Sequence, residues 1–269
     1  MSITIGVSLK AYLGYRDTLR WASDVAEIAR SRSNSSIELF VLPAFPALVP
    51  VRDILTGSGI AVGSQDIAAD DAGNQTGEVT GAMLADVGCH YAEVGHAERR
   101  RHFGESEQVV AAKTAAALRH RLVPVICLGE QNPLDIDAAV EESVRQLRHA
   151  LGAVQPVTPG GRVVVAYEPH WAIGAAEPAP DEHIIAVVAG LRRAASQLAP
   201  GSSVIYGGSA GPGLLTRLAG GVDGLFLGRF AHDPKAFATV LDEAIAVAGK
   251  LGFGHILCAA FGSREVATG

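Results

Sequence analysis

Val163-Val164-Val165-Ala166-Tyr167-Glu168 is the stretch that decides the fold. Its first four residues are apolar without alternation, as in a strand covered on both faces. Seven other short apolar runs accompany it: Ile3 to Leu9, Ile37 to Leu42, Ile60 to Gln65, His90 to Val94, Val123 to Cys127, Ser203 to Tyr206 and Leu225 to Leu227. Longer stretches of helical period lie between them, among them Asp17 to Arg32, Glu107 to Arg121, Ile136 to Leu151 and Asp181 to Leu198. In the third of these, Val140, Val144, Leu147 and Leu151 recur every three or four residues and make one apolar face. Strand and helix alternating in this way predict an α/β protein whose parallel strands close into a (β/α)8 barrel. An open doubly wound sheet is the competing arrangement, but Gly6 to Gly14 lacks the G-x-G-x-x-G turn that usually follows its first strand.

The 269 residues suit one large domain, with 48% hydrophobic and 19% charged residues to build a core. We place the barrel at residues 1–251 and a C-terminal extension at 252–269, whose Ile256, Leu257 and Phe261 suggest docking on the barrel. A net charge of −6 and the lack of a basic stripe argue against nucleic acid as a partner. No window approaches the roughly 20 apolar residues of a membrane span, and Met1 to Lys10 lacks a signal-peptide layout. Cys89, Cys127 and Cys258 are odd in number and without C-x-x-C spacing, which reads as reduced thiols in a cytoplasmic protein. No H-E-x-x-H or paired Cys/His spacing indicates a metal, and nothing demands a cofactor.

In such a barrel the reactive residues stand at the C-terminal ends of strands. Those ends carry Lys10, His96 and Glu168, and Gly-rich turns follow the last two strands at Tyr206-Gly207-Gly208-Ser209 and Leu227-Gly228-Arg229. A carboxylate base, an imidazole, an ammonium and exposed backbone N–H groups suit proton abstraction beside a carbonyl in a phosphorylated substrate.

Gly95-His96-Ala97-Glu98-Arg99-Arg100 and Ala166-Tyr167-Glu168-Pro169-His170-Trp171-Ala172-Ile173-Gly174 resemble the signatures of the triosephosphate isomerase family. Thr76-Gly77-Glu78, Cys127-Leu128-Gly129-Glu130 and the Tyr206 turn fall in the family's order, and the resemblance covers about Ile5 to Leu251. It implies a TIM barrel and an enediol proton shift on a small sugar phosphate. It makes Glu168 the base, His96 the donor to the enediolate oxygen, and Lys10 the positive charge on substrate oxygen and phosphate. Glu98 is implied as a carboxylate behind the site. Backbone N–H groups of Gly174, Ser209 and Gly228 are implied as phosphate ligands, helped by a short helix after the eighth strand. His96 is expected to be neutral at the start of a helix from Ala97 to Phe103, the family being the standard example of that arrangement. The segment from Pro169 to Gly174 is implied as a closing lid. Thr76 is implied in a loop that enters a second subunit, hence a homodimer.

The chain also departs from the family. Ser8 stands where Asn is usual and Arg229 where a second Gly is usual; Ala97, His170 and Ala176-Glu177 differ as well. Ser8 opens space near the reacting carbons, and Arg229 adds a charged contact to phosphate or to a hydroxyl. Both features resemble members that interconvert L-erythrulose 1-phosphate and D-erythrulose 4-phosphate, with triosephosphate isomerisation as the alternative. A barrel that binds a sugar phosphate without catalysis is a third reading, opposed by the retention of Glu168, His96 and Lys10 together.

Overall fold

A computed structural model of the chain describes residues 2–152, 161–218 and 220–261. Its strands are β1 (Ile3–Ser8), β2 (Ile37–Leu42), β3 (Ile60–Ser64), β4 (Tyr91–Val94), β5 (Val123–Leu128), β6 (Val164–Tyr167), β7 (Ser203–Tyr206) and β8 (Gly224–Leu227). They pair in parallel and in chain order, and β8 returns to β1 to close the barrel. The expected (β/α)8 architecture is the observed one, with strand ends displaced by one residue at most positions. The helices are α1 (Tyr15–Ser31), α2 (Leu48–Leu55), α3 (Gly81–Asp86), α4 (Ala97–Phe103), α5 (Glu107–Arg119), α6 (Ile136–Gly152), α7 (Asp181–Leu198), α8 (Leu214–Leu218) and α9 (Pro234–Phe261). Helix α9 runs unbroken through the boundary expected at Leu251, and the expected docking of 252–269 rests on side chains outside the described residues.

Alternation along each strand sorts side chains to two sides of the barrel wall. Outward residues such as Ile5, Val7, Val94, Ile126 and Val165 pack against the helices in one continuous core. Inward residues form a second core of Phe40, Leu42, Tyr91, Val125, Cys127, Val164, Ala166, Ile205 and Phe226. Large and small residues alternate inside: a side chain at Gly6 would come within 2.2 Å of the Phe40 ring and 2.9 Å of Phe226. The interior is therefore filled.

The N-terminal end of the interior is closed by polar groups. Glu38 accepts hydrogen bonds from Tyr91 Oη and from Arg162, whose Nη1 lies 3.0 Å from its Oε2. Burial raises the Glu38 carboxyl, but the Arg162 and Tyr91 bonds outweigh it and hold the group below the usual carboxylate range.

The loop after β4 is braced from behind. Arg99 pairs with Asp66 at 2.8 Å and Glu105 at 2.6 Å, and Lys113 meets the same two carboxylates at 2.6 Å each. Arg100 donates to the Gly95 carbonyl at 2.8 Å. Arg99 and Arg100 thus serve this brace, while Arg101 is exposed and contacts only His102 among the described residues.

Candidate active site

Lys10 follows β1 with a φ of 51°, a left-handed backbone that turns its side chain over the barrel mouth. Its ammonium lies 2.7 Å from Glu98 Oε1. Burial lowers the Lys10 pKa, but the Glu98 hydrogen bond and the charges of Glu168, Glu98 and Glu93 raise it above its ordinary value, so the group stays cationic. The expectation that Glu98 lies behind the site is corrected. It is half-exposed in the first turn of α4, lines the mouth and faces Lys10 directly.

His96 is the N-cap of α4, the helix expected from Ala97 to Phe103. Its Nδ1 accepts the backbone N–H of Glu98 at 3.1 Å, so in the neutral ring the hydrogen is carried by Nε2. Burial, then the Lys10 charge, pushes its pKa down to about 4. A neutral donor thus points into the cavity.

Glu168 follows β6 and is 5% exposed. Its amide donates to the Leu128 carbonyl at 2.8 Å, which fixes the backbone. Burial pushes the carboxyl up to about 7, the range in which a carboxylate is a useful base. Glycines give it room: a side chain at Gly207 would come within 2.6 Å of its Oε1, and one at Gly129 within 2.3 Å of its carbonyl. Its Oε2 stands 3.6 Å from His96 Nε2, and among the described residues neither atom has a hydrogen-bond partner. Two orphaned polar atoms facing one cavity mark where a ligand's oxygen and carbon belong.

That cavity holds about 900 Å³, and Ser8, Gly174, Ser209, Gly228 and Arg229 line it along with the three residues above. The turns after β7 and β8 are as expected, with a 3-10 turn at Arg229–His232 as the short helix. The segment from Pro169 to Gly174, expected as a lid, is tied down on two sides. Ser209 Oγ lies 2.8 Å from the Ala172 carbonyl and 3.0 Å from that of Ala175. Arg229 Nη2 donates to the Gly174 carbonyl at 3.2 Å, so in this state it grips the lid. Thr76 does not line the cavity; it lies in the loop after β3, exposed from Asp70 to Glu78.

Sequence reading missed the lid's inner anchor. Glu130 is buried and accepts from Trp171 Nε1 at 3.0 Å and from Tyr167 Oη at 3.1 Å, while His183 Nε2 lies 3.1 Å away. The signal was a carboxylate closing the apolar run of β5. It also missed Glu93, an inward-facing carboxyl in the apolar strand β4. There the signal was a charged residue at an inward position.

A filled parallel barrel with a buried carboxyl, a neutral imidazole and a fixed ammonium at its C-terminal mouth suits a sugar-phosphate isomerase, an intramolecular oxidoreductase, and similar proteins place the chain in that class. The model of the triosephosphate isomerase family matches residues 3–244. An L-erythrulose-1-phosphate isomerase of Pectobacterium atrosepticum is 48% identical over 92% of this chain and 98% of its own length. One of Rhizobium etli is 36% identical over 91% of this chain and 94% of its own. A triosephosphate isomerase of Thermus thermophilus is 38% identical over 80% of this chain and 89% of its own. The chain belongs to the triosephosphate isomerase family.

Proposed function

We propose that this isomerase interconverts L-erythrulose 1-phosphate and D-erythrulose 4-phosphate. Glu168 removes the proton from the carbon beside the carbonyl and returns it to the neighbouring carbon. His96 Nε2 and the Lys10 ammonium stabilise the enediolate oxygens between them. Backbone N–H groups at Gly174, Ser209 and Gly228 hold the phosphate, and Arg229 exchanges the Gly174 carbonyl for a phosphate oxygen when substrate binds. Lid closure over these groups keeps water from the enediolate, which otherwise eliminates phosphate.

The observation that carries the four-carbon reading is Ser8. It is buried and lines the cavity, and its side chain is smaller than the Asn usual there in the family. The Pectobacterium relative, named for that substrate, is similar over nearly the whole chain. The test is kcat/KM for L-erythrulose 1-phosphate and for glyceraldehyde 3-phosphate, side by side. A clear preference for the triose would make this a triosephosphate isomerase with an altered floor. No turnover of either would favour a silent binder.

We also infer a homodimer of barrels spanning residues 1–251. Its support is the exposed loop carrying Thr76 together with exposed Tyr12, Phe45, Met83 and Phe103, which follow the first four strands at the same end of the barrel. Sedimentation equilibrium giving a monomer at micromolar protein would remove it. Buried free Cys89 and Cys127 accord with a cytoplasmic setting, and among the described residues no helix is long and apolar enough to cross a membrane.

A further inference from the structure

Below the mouth, the inward layer holds Ser8 of β1, Glu93 of β4 and Cys127 of β5. Glu93 is 3% exposed. Ser8 Oγ donates to Glu93 Oε2 at 2.8 Å, and Cys127 Sγ lies 3.8 Å from Oε1. A branched apolar residue fills such a barrel position without the cost of desolvating a carboxyl. Among the described residues no cation within hydrogen-bond distance offsets that cost, because the Lys10 ammonium is bound to Glu98.

The pair has one chemical consequence. Ser8 has a single hydroxyl hydrogen, and it is directed at Glu93 Oε2 when that oxygen carries no proton. Towards the cavity Ser8 Oγ therefore presents lone pairs only. An asparagine at the same place would present an amide N–H. A donor suits a carbonyl or enediolate oxygen, whereas an acceptor suits a substrate hydroxyl.

We propose that Glu93 determines substrate specificity by acting through Ser8, which it holds as an acceptor for the terminal hydroxyl of a four-carbon ketose phosphate. This deepens the four-carbon reading and rests on it. The phosphate-binding turns follow β6, β7 and β8 at the rim, while Glu168 and His96 flank the reacting carbons. The end of the substrate remote from phosphate then faces the floor at β1 and β4. A triose has no hydroxyl beyond its reacting carbons and leaves the Ser8 acceptor desolvated and unmet. Burial pushes the Glu93 carboxyl up to about 8, and the Glu168 charge acts in the same direction. The other groups facing Glu93 are Lys10, Glu98 and the Cys127 thiol, which burial keeps protonated.

The experiment is the ratio of kcat/KM for L-erythrulose 1-phosphate over glyceraldehyde 3-phosphate, measured in wild type, Glu93→Val, Glu93→Gln, Ser8→Ala and Ser8→Ala/Glu93→Val. We expect Glu93→Val and Ser8→Ala each to lower the ratio by about tenfold or more, chiefly by loss on the tetrulose. Glu93→Gln, whose amide oxygen still accepts from Ser8, should stay within about threefold of wild type. The double variant should be no worse than Ser8→Ala alone, because Glu93 acts only through Ser8. Additive losses, or a ratio unchanged in Glu93→Val, would overturn the proposal while leaving the four-carbon reading intact. A wild-type enzyme that prefers the triose would overturn that reading itself. If Glu93→Val does not fold, the wild-type ratio between pH 7 and 9 decides. Ionisation removes the proton of Glu93 and leaves Ser8 the only donor of the pair, so the ratio should rise in wild type and stay level in Glu93→Gln. Glu168 serves both substrates and cancels from the ratio; a level wild-type ratio refutes the role.

Discussion

The two ends of the barrel interior bury carboxyls in opposite ways. At the N-terminal end Glu38 is met by Arg162 and Tyr91 and stays ionised. At the C-terminal end Glu168 and Glu93 are bonded to no cation among the described residues, and burial outweighs the Lys10 charge and drives both towards the neutral form. Glu38 is also less deeply buried than the other two, so burial and partners act in the same direction. A matched carboxylate closes the barrel, and an unmatched one stores reactivity.

The largest effect should come from removing the unmatched charge. Glu168→Gln should lower kcat by about a thousandfold or more in the isomerase assay, the scale of a lost general base. Stability should move the other way. A carboxyl raised in the folded state destabilises that state as pH climbs from its unfolded value near 4 towards about 7. Glu168→Gln should therefore melt higher than wild type at pH 8 and equal to it at pH 4. A lower melting temperature at pH 8 would show Glu168 to be structurally paired after all. In wild type, kcat/KM should fall tenfold per unit below about pH 7, where Glu168 binds its proton.

The matched end should respond in stability alone. Arg162→Leu should cost about 2–3 kcal/mol, read as a denaturant midpoint, because it strands a partly buried carboxylate. Glu38, held low in the folded state, contributes stability above its unfolded value that is lost as pH falls through its folded one. Without Arg162 the acid unfolding midpoint should move to higher pH, and turnover per folded molecule should change less than about twofold, as for a site remote from the chemistry. Ser209→Ala should be the mildest variant. It removes one tether on the lid and should raise KM about threefold with kcat nearly kept, the value of one hydrogen bond.

The same contrast explains what was legible in the sequence. Uninterrupted runs such as Val163 to Ala166 and the period of α6 are set by burial, which composition records directly, so the barrel could be read. Lys10, His96 and Glu168 stand at strand ends, where their placement follows from topology. Short helices α2, α3 and α8 carry too few residues for a periodic signal. Glu130 and Glu93 escaped because their meaning depends on contacts across strands. Trp171 and His183 reach Glu130 from distant positions, and Ser8 meets Glu93 only when β1 and β4 face one another across the closed barrel. The contact of Glu98 with Lys10 was not legible because the two are far apart in the chain.

The alternation of inward and outward residues along each strand has a consequence for how such enzymes diversify. Residues that hold the helices to the barrel and residues that shape the substrate floor occupy different positions of the same strands, one set at odd steps and one at even. Ser8 and Glu93 are flanked by Val7 and Val94, which face the other way into the helix layer. A lineage can therefore trade floor residues and drift to a longer or shorter sugar without renegotiating the contacts that keep its barrel closed.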